Sequence, residues 1–342
     1  MKNKELLLNS KEKIESKVIE ILDNEINDNQ DNVFIKEALE ELKRLSIGGK
    51  MVRGFLVKLG QLLFNKDDES FIDIAAALEI FQTAILIHDD IIDEGQLRRN
   101  KVTINAEYKG HHGISKGICV GDLGFFLSYK IISDLNISKT VKNEIMKIYA
   151  TTLYNTVKGE IIDTELPFDT IDNHIKMDEK IIYDIYVNKT AWYTIIGPML
   201  IGAVSAGASV ESQKKLMEIG TNLGIAFQIM DDFLGLYSSD KTMGKSLNDI
   251  KEGKQTIIYK HAIRSASKEE LTIIKKYYGN KNINESGNME IVNLFEKLGS
   301  KEYALRKAEE YTIRAIKGIK KEKYVNEDTF IDFANYLLNR NK

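Results

Sequence analysis

Apolar residues recur every three to four positions through nearly every segment, the strict alternation of strands is scarce, and Pro167 and Pro198 are the only prolines. This pattern predicts an all-α protein, a helical bundle. Runs rich in Gly, Asn, Asp or Ser interrupt the helical period at Gly48-Gly49 and at residues 98–113, 166–174, 238–254 and 279–288. None has the composition of an interdomain linker, and no fixed-period repeat is present. One domain over residues 1–342 is therefore expected, a length that an extended bundle can reach.

The most apolar run, AAALEIFQTAILI at 75–87, is shorter than a membrane span and is closed by His88-Asp89-Asp90. The N-terminal segment mixes charged and apolar residues at helical spacing and lacks a signal peptide's unbroken apolar core. A cytoplasmic protein without a transmembrane segment is expected. Hydrophobic residues at 43% and charged residues at 29% are globular proportions, and a net charge of −3 lacks the basic excess of a nucleic-acid binder. A single cysteine, Cys119, excludes an internal disulfide and is expected in the core of a protein kept reduced. The nine methionines and Trp192 read as core too.

Candidate chemistry lies in two acidic clusters that end apolar helical runs, Asp89-Asp90-Ile-Ile-Asp93 and Asp231-Asp232. Asp89 and Asp93, four residues apart on a helix, share a face. Buried carboxylates need a counter-ion, and oxygen-only ligands suit hard divalent cations; Mg²⁺ in particular prefers a few carboxylates plus phosphate oxygens. Cations lie where a diphosphate would need them. Lys50 and Arg53 follow the Gly48-Gly49 pair at a helix start whose amides can also face an anion, Arg98 and Arg99 follow the first cluster, Lys189 precedes Thr190, and Lys245 and Lys254 flank Asp249. His88 reads as an N–H donor orienting a neighbouring carboxylate, and His111 and His112 as part of a solvated loop.

Five ordered segments, GGKMVRG, LIHDDIIDEGQLRR, Lys189-Thr190, AFQIMDDFLG and GKSLNDIKEGKQT, resemble the motifs of trans-isoprenyl diphosphate synthases, the polyprenyl synthetases, in order and spacing, over nearly the whole chain. The resemblance implies an all-α isoprenoid synthase fold around a deep cavity with the acidic clusters facing at its mouth, and a homodimer. It also implies head-to-tail condensation of isopentenyl diphosphate with an allylic diphosphate, releasing pyrophosphate and requiring Mg²⁺, with three ions in the substrate-bound state. Carried over residue by residue, Asp89, Asp93 and Asp231 would hold metal, and Arg98, Lys189, Lys245 and Lys254 the allylic diphosphate. Lys50, Arg53, Gln82 and Arg99 would hold isopentenyl diphosphate. Thr190 and Gln228 would offer dipoles to the allylic cation, with Lys189 supporting the leaving group. Pyrophosphate would take the final proton, so no protein nucleophile or base triad is needed.

The chain departs from the family pattern at four places: Gly235 stands where a third carboxylate is expected, Gln82 where His is common, Met51 where Arg is frequent and Asn100 where Gly is usual. Product length is read from the helix before Asp89. Ala84 is too small to block a farnesyl chain, Ile85 is intermediate, and Phe81 one turn deeper is a candidate floor, so geranylgeranyl diphosphate or a modestly longer product is expected. A farnesyl diphosphate synthase and a non-catalytic partner subunit are the alternatives. A terpene cyclase would replace Asp231-Asp232 with an Asn/Ser/Glu motif, and the Gly-Gly-Lys and Gly-Lys loops match chain elongation better than head-to-head synthesis.

Overall fold

The computed structural model describes residues 4–237 and 248–339 and is almost wholly helical. The sole sheet among the described residues is an antiparallel pair of two-residue strands, β1 (Leu97–Arg98) and β2 (Lys101–Val102). The chain divides into two compact units. One comprises residues 1–150, 197–214 and 324–329; the other comprises 151–196, 215–323 and 330–342.

In the first unit the central element is α4 (Ile72–Ile92). From Ile74 to Ala84 every residue of this helix is buried, including Glu79 and Gln82, as its all-round apolar sequence requires. It packs against α6 (Gly110–Asp134), α3 (Val52–Leu63) and α1 (Lys4–Asp28). Val18 and Leu22 of α1, Ala76, Ile80 and Ile87 of α4, and Val120 and Leu127 of α6 share one core cluster. Each such burial contributes about 1.5–3 kcal/mol for the larger side chains. The face that α6 turns inward is a stripe of Gly113, Gly117, Gly121 and Gly124 with Val120 and Leu127.

In the second unit, α13 (Ile257–Ser265) packs on α15 (Glu285–Lys297) and α16 (Ser300–Glu322). Its core gathers Ile257, Ile258 and Ile263 with Ile291, Phe295, Ala304 and Ala308, and with Ile225 and Ile229 of α11 (Val210–Tyr237). Thr256 caps α13 by accepting the Tyr259 amide, and a Ser267–Glu270 capping box starts α14 (Lys268–Tyr277). No helix among the described residues is long and apolar enough to cross a membrane.

Three expectations are corrected. Cys119 is exposed, because α6 buries its glycine stripe and position 119 falls on the opposite face. His111 and His112 lie in the first turn of α6, not in a loop. The sulfur and indole side chains are not all core: Met289 is 49% exposed, and Trp192 is only partly buried.

Candidate active site

Asp89 and Asp90 end α4, and Asp93 caps it. Carboxylates at a helix C-terminus oppose the negative end of the macrodipole, each at a cost of about 0.3–1 kcal/mol, and α4 has no basic residue in its last turn. The compensating charge comes from Arg98 on β1. Its Nε donates to both oxygens of Asp90 at 2.8 and 2.7 Å, and its Nη2 reaches Asp89 Oδ2 at 2.9 Å. Burial favours the neutral guanidine, but Asp90 and Asp89 outweigh it and raise the Arg98 pKa. Arg98 thus engages the acidic cluster itself. The His88 ring does not orient a carboxylate of that cluster; Nε2 lies 3.1 Å from the Ile118 carbonyl and 3.6 Å from Asp122 on α6, and the ring stands edge-on to Phe125.

Arg99 and Asn100 form the two-residue turn between β1 and β2, both with positive φ, 52° and 62°. This is the geometry of a type I′ turn, in which Asn is among the few residues tolerated without a large penalty, so Asn100 replaces the family's Gly at little cost. Arg99 has no such excuse. Its guanidinium lies against Gly49, where an added methyl would sit 2.9 Å from Nη1, which brings Arg99 to the Gly48–Arg53 segment. At the N-terminus of α3 the Gly54 amide is already taken, donating to Glu79 Oε1 at 2.9 Å, so it is not free for an external anion. Burial pushes the Glu79 carboxyl up, opposed by the nearby Arg53 and Arg99 guanidinium groups. Arg53 and Gln82 are buried, while Lys50 is exposed. The departure at Met51 falls on a left-handed residue, φ 49°, that N-caps α3 with its side chain buried.

Ala84 and Phe81 are fully packed. A methyl on Gly124 of α6 would lie 3.0 Å from the Ala84 Cβ, so this alanine faces α6. Phe81 meets Phe125 and Tyr149 at ring separations of 5.6 Å. Ile85 alone of the three retains partial exposure.

In the second unit, Lys189 and Thr190 lie in a π-helix spanning Tyr186–Ile196, a conformation frequent at functional sites. A methyl on Gly159 of α7 (Lys139–Glu165) would overlap the Lys189 backbone nitrogen, so α7 and the π-helix touch through their main chains there. The Lys189 ammonium then reaches Asp163 Oδ2 at 2.5 Å and Glu160 Oε2 at 2.9 Å. Lys254 donates to the same Asp163 oxygen at 3.2 Å. Burial raises the Asp163 carboxyl, but Lys189 and Lys254 outweigh it and hold it below the usual aspartate range.

Thr190 Oγ1 donates to Gln228 Oε1 at 2.5 Å, and Gln228 Nε2 donates to Asp232 Oδ1 at 2.7 Å. Tyr186 donates its hydroxyl proton to Asp232 Oδ2 and accepts the Ile257 amide at 3.0 Å. Burial, with Asp249 and Asp231 near, pushes the Asp232 carboxyl well up, against Tyr186 and Gln228. Asp231 is exposed while Asp232 points inward. Like α4, α11 has no basic residue in its last turn. Lys245 lies outside the described residues.

A family model for polyprenyl synthetases matches residues 34–295. The chain belongs to the polyprenyl synthetase family. Its relatives include a geranylgeranyl diphosphate synthase of Sulfolobus acidocaldarius, 30% identical over 272 residues that cover 79% of each chain, and an octaprenyl diphosphate synthase of Escherichia coli, 28% identical over 80% of each. Two solved structures share its fold. A Corynebacterium glutamicum geranylgeranyl pyrophosphate synthase, complexed with isoprenyl diphosphate and magnesium, has a TM-score of 0.86 at 24% identity, covering 96% of this chain and 99% of its own. The Pyrococcus horikoshii geranylgeranyl pyrophosphate synthetase has 0.84 at 25%, covering 99% and 100%. As a polyprenyl synthetase the chain is a prenyltransferase of isoprenoid synthesis. Its relatives differ in named product length, so membership alone leaves that length open.

The motif positions missed Glu79, Glu160, Asp163 and Tyr186. Glu79 carried a signal, as the one charge inside AAALEIFQTAILI. Glu160 and Asp163, at helical spacing in TVKGEIID, carried a weaker one. Tyr186 carried none.

Among the described residues no three His, Cys, Asp or Glu side chains converge as a ready-made metal cage. The donor set nevertheless suits Mg²⁺. The candidate ligands are all carboxylates, they cluster near helix C-termini that lack basic last turns, and Mg²⁺ keeps waters and substrate phosphate oxygens where an all-protein cage would fill every position.

Proposed function

We propose that the protein condenses isopentenyl diphosphate head-to-tail with an allylic diphosphate, releasing pyrophosphate and making geranylgeranyl diphosphate or a modestly longer all-trans product. The observation that carries this reading is the sharing of Asp163 by Lys189 and Lys254. Two ammonium groups held beside one another on a buried carboxylate are poised to pass to a polyanionic leaving group. Asp89 and Asp93, and likewise Asp231, would hold Mg²⁺, three ions with substrate bound. When present, Mg²⁺ polarises the leaving diphosphate as a Lewis acid.

The chain's own residues supply the rest. Lys189, Lys254 and Arg98 neutralise charge developing on pyrophosphate as the allylic carbon–oxygen bond breaks. Thr190 donates its hydroxyl hydrogen bond to Gln228 Oε1 and so turns oxygen lone pairs, not an O–H, to its other side, where they can stabilise a carbocation. Gln228 is fixed in turn by Asp232, which Tyr186 holds through the other carboxylate oxygen. Arg99, Arg53, Lys50 and Gln82 orient isopentenyl diphosphate so that its double bond meets the cation. A second copy of the chain would complete a homodimer over the exposed Ile114, Ile118, Phe126 and Tyr129 of α6.

Support for the product class comes from relatives named for geranylgeranyl diphosphate synthesis and from the half-buried Ile85, with Phe81 one turn deeper; Ala84 itself is packed against α6. The test is incubation with labelled isopentenyl diphosphate and each allylic primer from dimethylallyl to geranylgeranyl diphosphate, with Mg²⁺ or EDTA, resolving products by length. Metal-dependent elongation ending at twenty to twenty-five carbons is the expected result. A folded protein that elongates no primer would overturn the assignment in favour of a partner subunit.

A further inference from the structure

We propose that Lys101 is the positioning residue of the isopentenyl diphosphate subsite, fastening the β1–β2 hairpin to the end of α2 (Val33–Ser46) so that Arg99 is held beside the Gly48–Arg53 segment. The proposal rests on the reading of Arg99, Lys50 and Arg53 as residues that hold that substrate.

The hairpin cannot hold itself. Its register pairs only Leu97 with Val102 and Arg98 with Lys101, and a ribbon of this size is not independently stable in water. Contacts with helices must therefore fix it, and its inner pair makes them. Arg98 reaches the acidic end of α4 through Asp89 and Asp90. Lys101, directly across the pair, reaches α2 instead: its Nζ donates to the Arg44 carbonyl at 2.5 Å and to the Ile47 carbonyl at 2.7 Å. Arg44 returns the tie, its Nη1 donating to the Val102 carbonyl at 3.0 Å. Side-chain bonds running in both directions thus lock β2 onto the last turn and the C-cap of α2.

The chain that leaves this cap is the glycine segment. Ile47 C-caps α2 in an extended conformation, and Gly48, Gly49 and Lys50 follow. The Gly48 amide donates to Glu15 Oε1 of α1 at 2.6 Å, so the segment is pinned at both Ile47 and Gly48. The Arg99 guanidinium lies against Gly49. Arg99 and Lys101, two apart on the hairpin, therefore meet Gly49 and Ile47, two apart on the segment. The first contact sets a substrate cation in place, and the second fixes the frame that carries it.

A helix cap alone explains less. α2 already has Lys43 and Arg44 in its last turn, so its dipole does not call for a third cation. The position is also unfavourable for an ammonium: burial, then Arg99 and Arg44, lower the Lys101 pKa, with Glu15 opposing. A cation kept against that repulsion is one whose placement is used.

The experiment measures calorimetric binding of isopentenyl diphosphate alone to the full-length protein, with kcat and the KM for each substrate in parallel. Lys101→Met keeps the apolar stem and removes the donors. It is expected to weaken isopentenyl diphosphate about tenfold in both Kd and KM, with the allylic KM and kcat within about twofold of the parent. Lys101→Arg, which can again donate to two carbonyls, is expected to recover most of the affinity. In an Arg99→Gly background Lys101→Met is expected to add no more than about a twofold loss, since its effect runs through Arg99. An unchanged Kd, equal losses for both diphosphates, or losses that multiply in the double variant would each overturn the proposal. Should Lys101→Met fail to fold, Arg44→Met, which cuts the returning bond to Val102, must show the same selective loss or the proposal falls. Lys101-dependent binding by a protein that elongates no primer leaves this inference standing while the proposed activity falls, and a parent protein that binds no isopentenyl diphosphate overturns both.

Discussion

The Lys189 ammonium lies 2.5 Å from Asp163 Oδ2, and the same oxygen accepts from Lys254. In the proposed reaction a substrate diphosphate would compete with this carboxylate for both lysines, and the carboxylate would keep the pair positioned and charge-balanced until then. Asp163→Asn removes the shared anion. Glu160 still pairs with Lys189 and Glu252 lies 3.6 Å from Lys254, so the loss is expected to be about 2 kcal/mol, below the cost of breaking an isolated buried pair. Because Asp163 is held below its ordinary pKa, its contribution is full above the unfolded aspartate value of about 3.9 and fades as pH falls through the lower folded value. Thermal unfolding should show a constant gap between the two proteins from neutral pH to about pH 5, closing below about pH 4. A gap that persists unchanged into stronger acid would contradict the ion-pair account.

Arg98 bridges Asp89 and Asp90 where the α4 dipole already disfavours negative charge. Arg98→Ala leaves two partly buried carboxylates without that partner and is expected to cost about 3 kcal/mol. Arg98→Lys should recover little, since an ammonium cannot reproduce the guanidinium fork. Added Mg²⁺ should raise the melting temperature of Arg98→Ala more than that of the unaltered protein, because the ion replaces part of the lost charge. An equal Mg²⁺ shift in both would separate Arg98 from the metal site.

These pairings show what the sequence could and could not reveal. The burial of α4 and the ends of the acidic helices are written locally, in spacing of three or four residues, and the structure places those helices accordingly. The partners of the motif cations are written nowhere local: Asp163 lies 26 residues before Lys189 and 91 before Lys254. A lone Glu79 in an apolar run announces that it needs a partner but not that α3 amides and Arg53 supply it. On α6 the apolar and glycine residues divide the faces, and Cys119 falls on the exposed side because glycine, not the larger apolar residues, marks where α4 approaches.

Arg99 adopts a left-handed backbone that costs a side-chain-bearing residue about 1–2 kcal/mol. Such strain is retained where a side chain is needed. Arg99→Gly relieves it but gains about 0.5–1 kcal/mol of unfolded-state freedom, so thermal stability should change by less than about 1 kcal/mol. The KM for isopentenyl diphosphate should rise at least tenfold, about 1.4 kcal/mol of lost binding, with kcat less affected. Asn100→Gly should leave both unchanged. An unaltered KM in Arg99→Gly would remove Arg99 from the isopentenyl diphosphate site.

The packing of Ala84 against Gly124 changes which substitution tests product length. Phenylalanine at 84 has no cavity to enter without parting α4 from α6, and overpacking of this kind costs about 1–3 kcal/mol or more. Ala84→Phe is therefore expected to lower the melting temperature by several degrees, whatever it does to product length. Ile85, partly exposed on the neighbouring face, can accept a larger ring without that clash. Ile85→Phe should keep the stability of the parent and shift products toward fifteen carbons. Phe81→Ala should lengthen them, but at about 3–5 kcal/mol, because Phe125 and Tyr149 lose their partner. Product chromatography paired with thermal unfolding separates the two effects. If Ile85→Phe leaves chain length untouched in a fully stable protein, the floor of the cavity lies away from this helix.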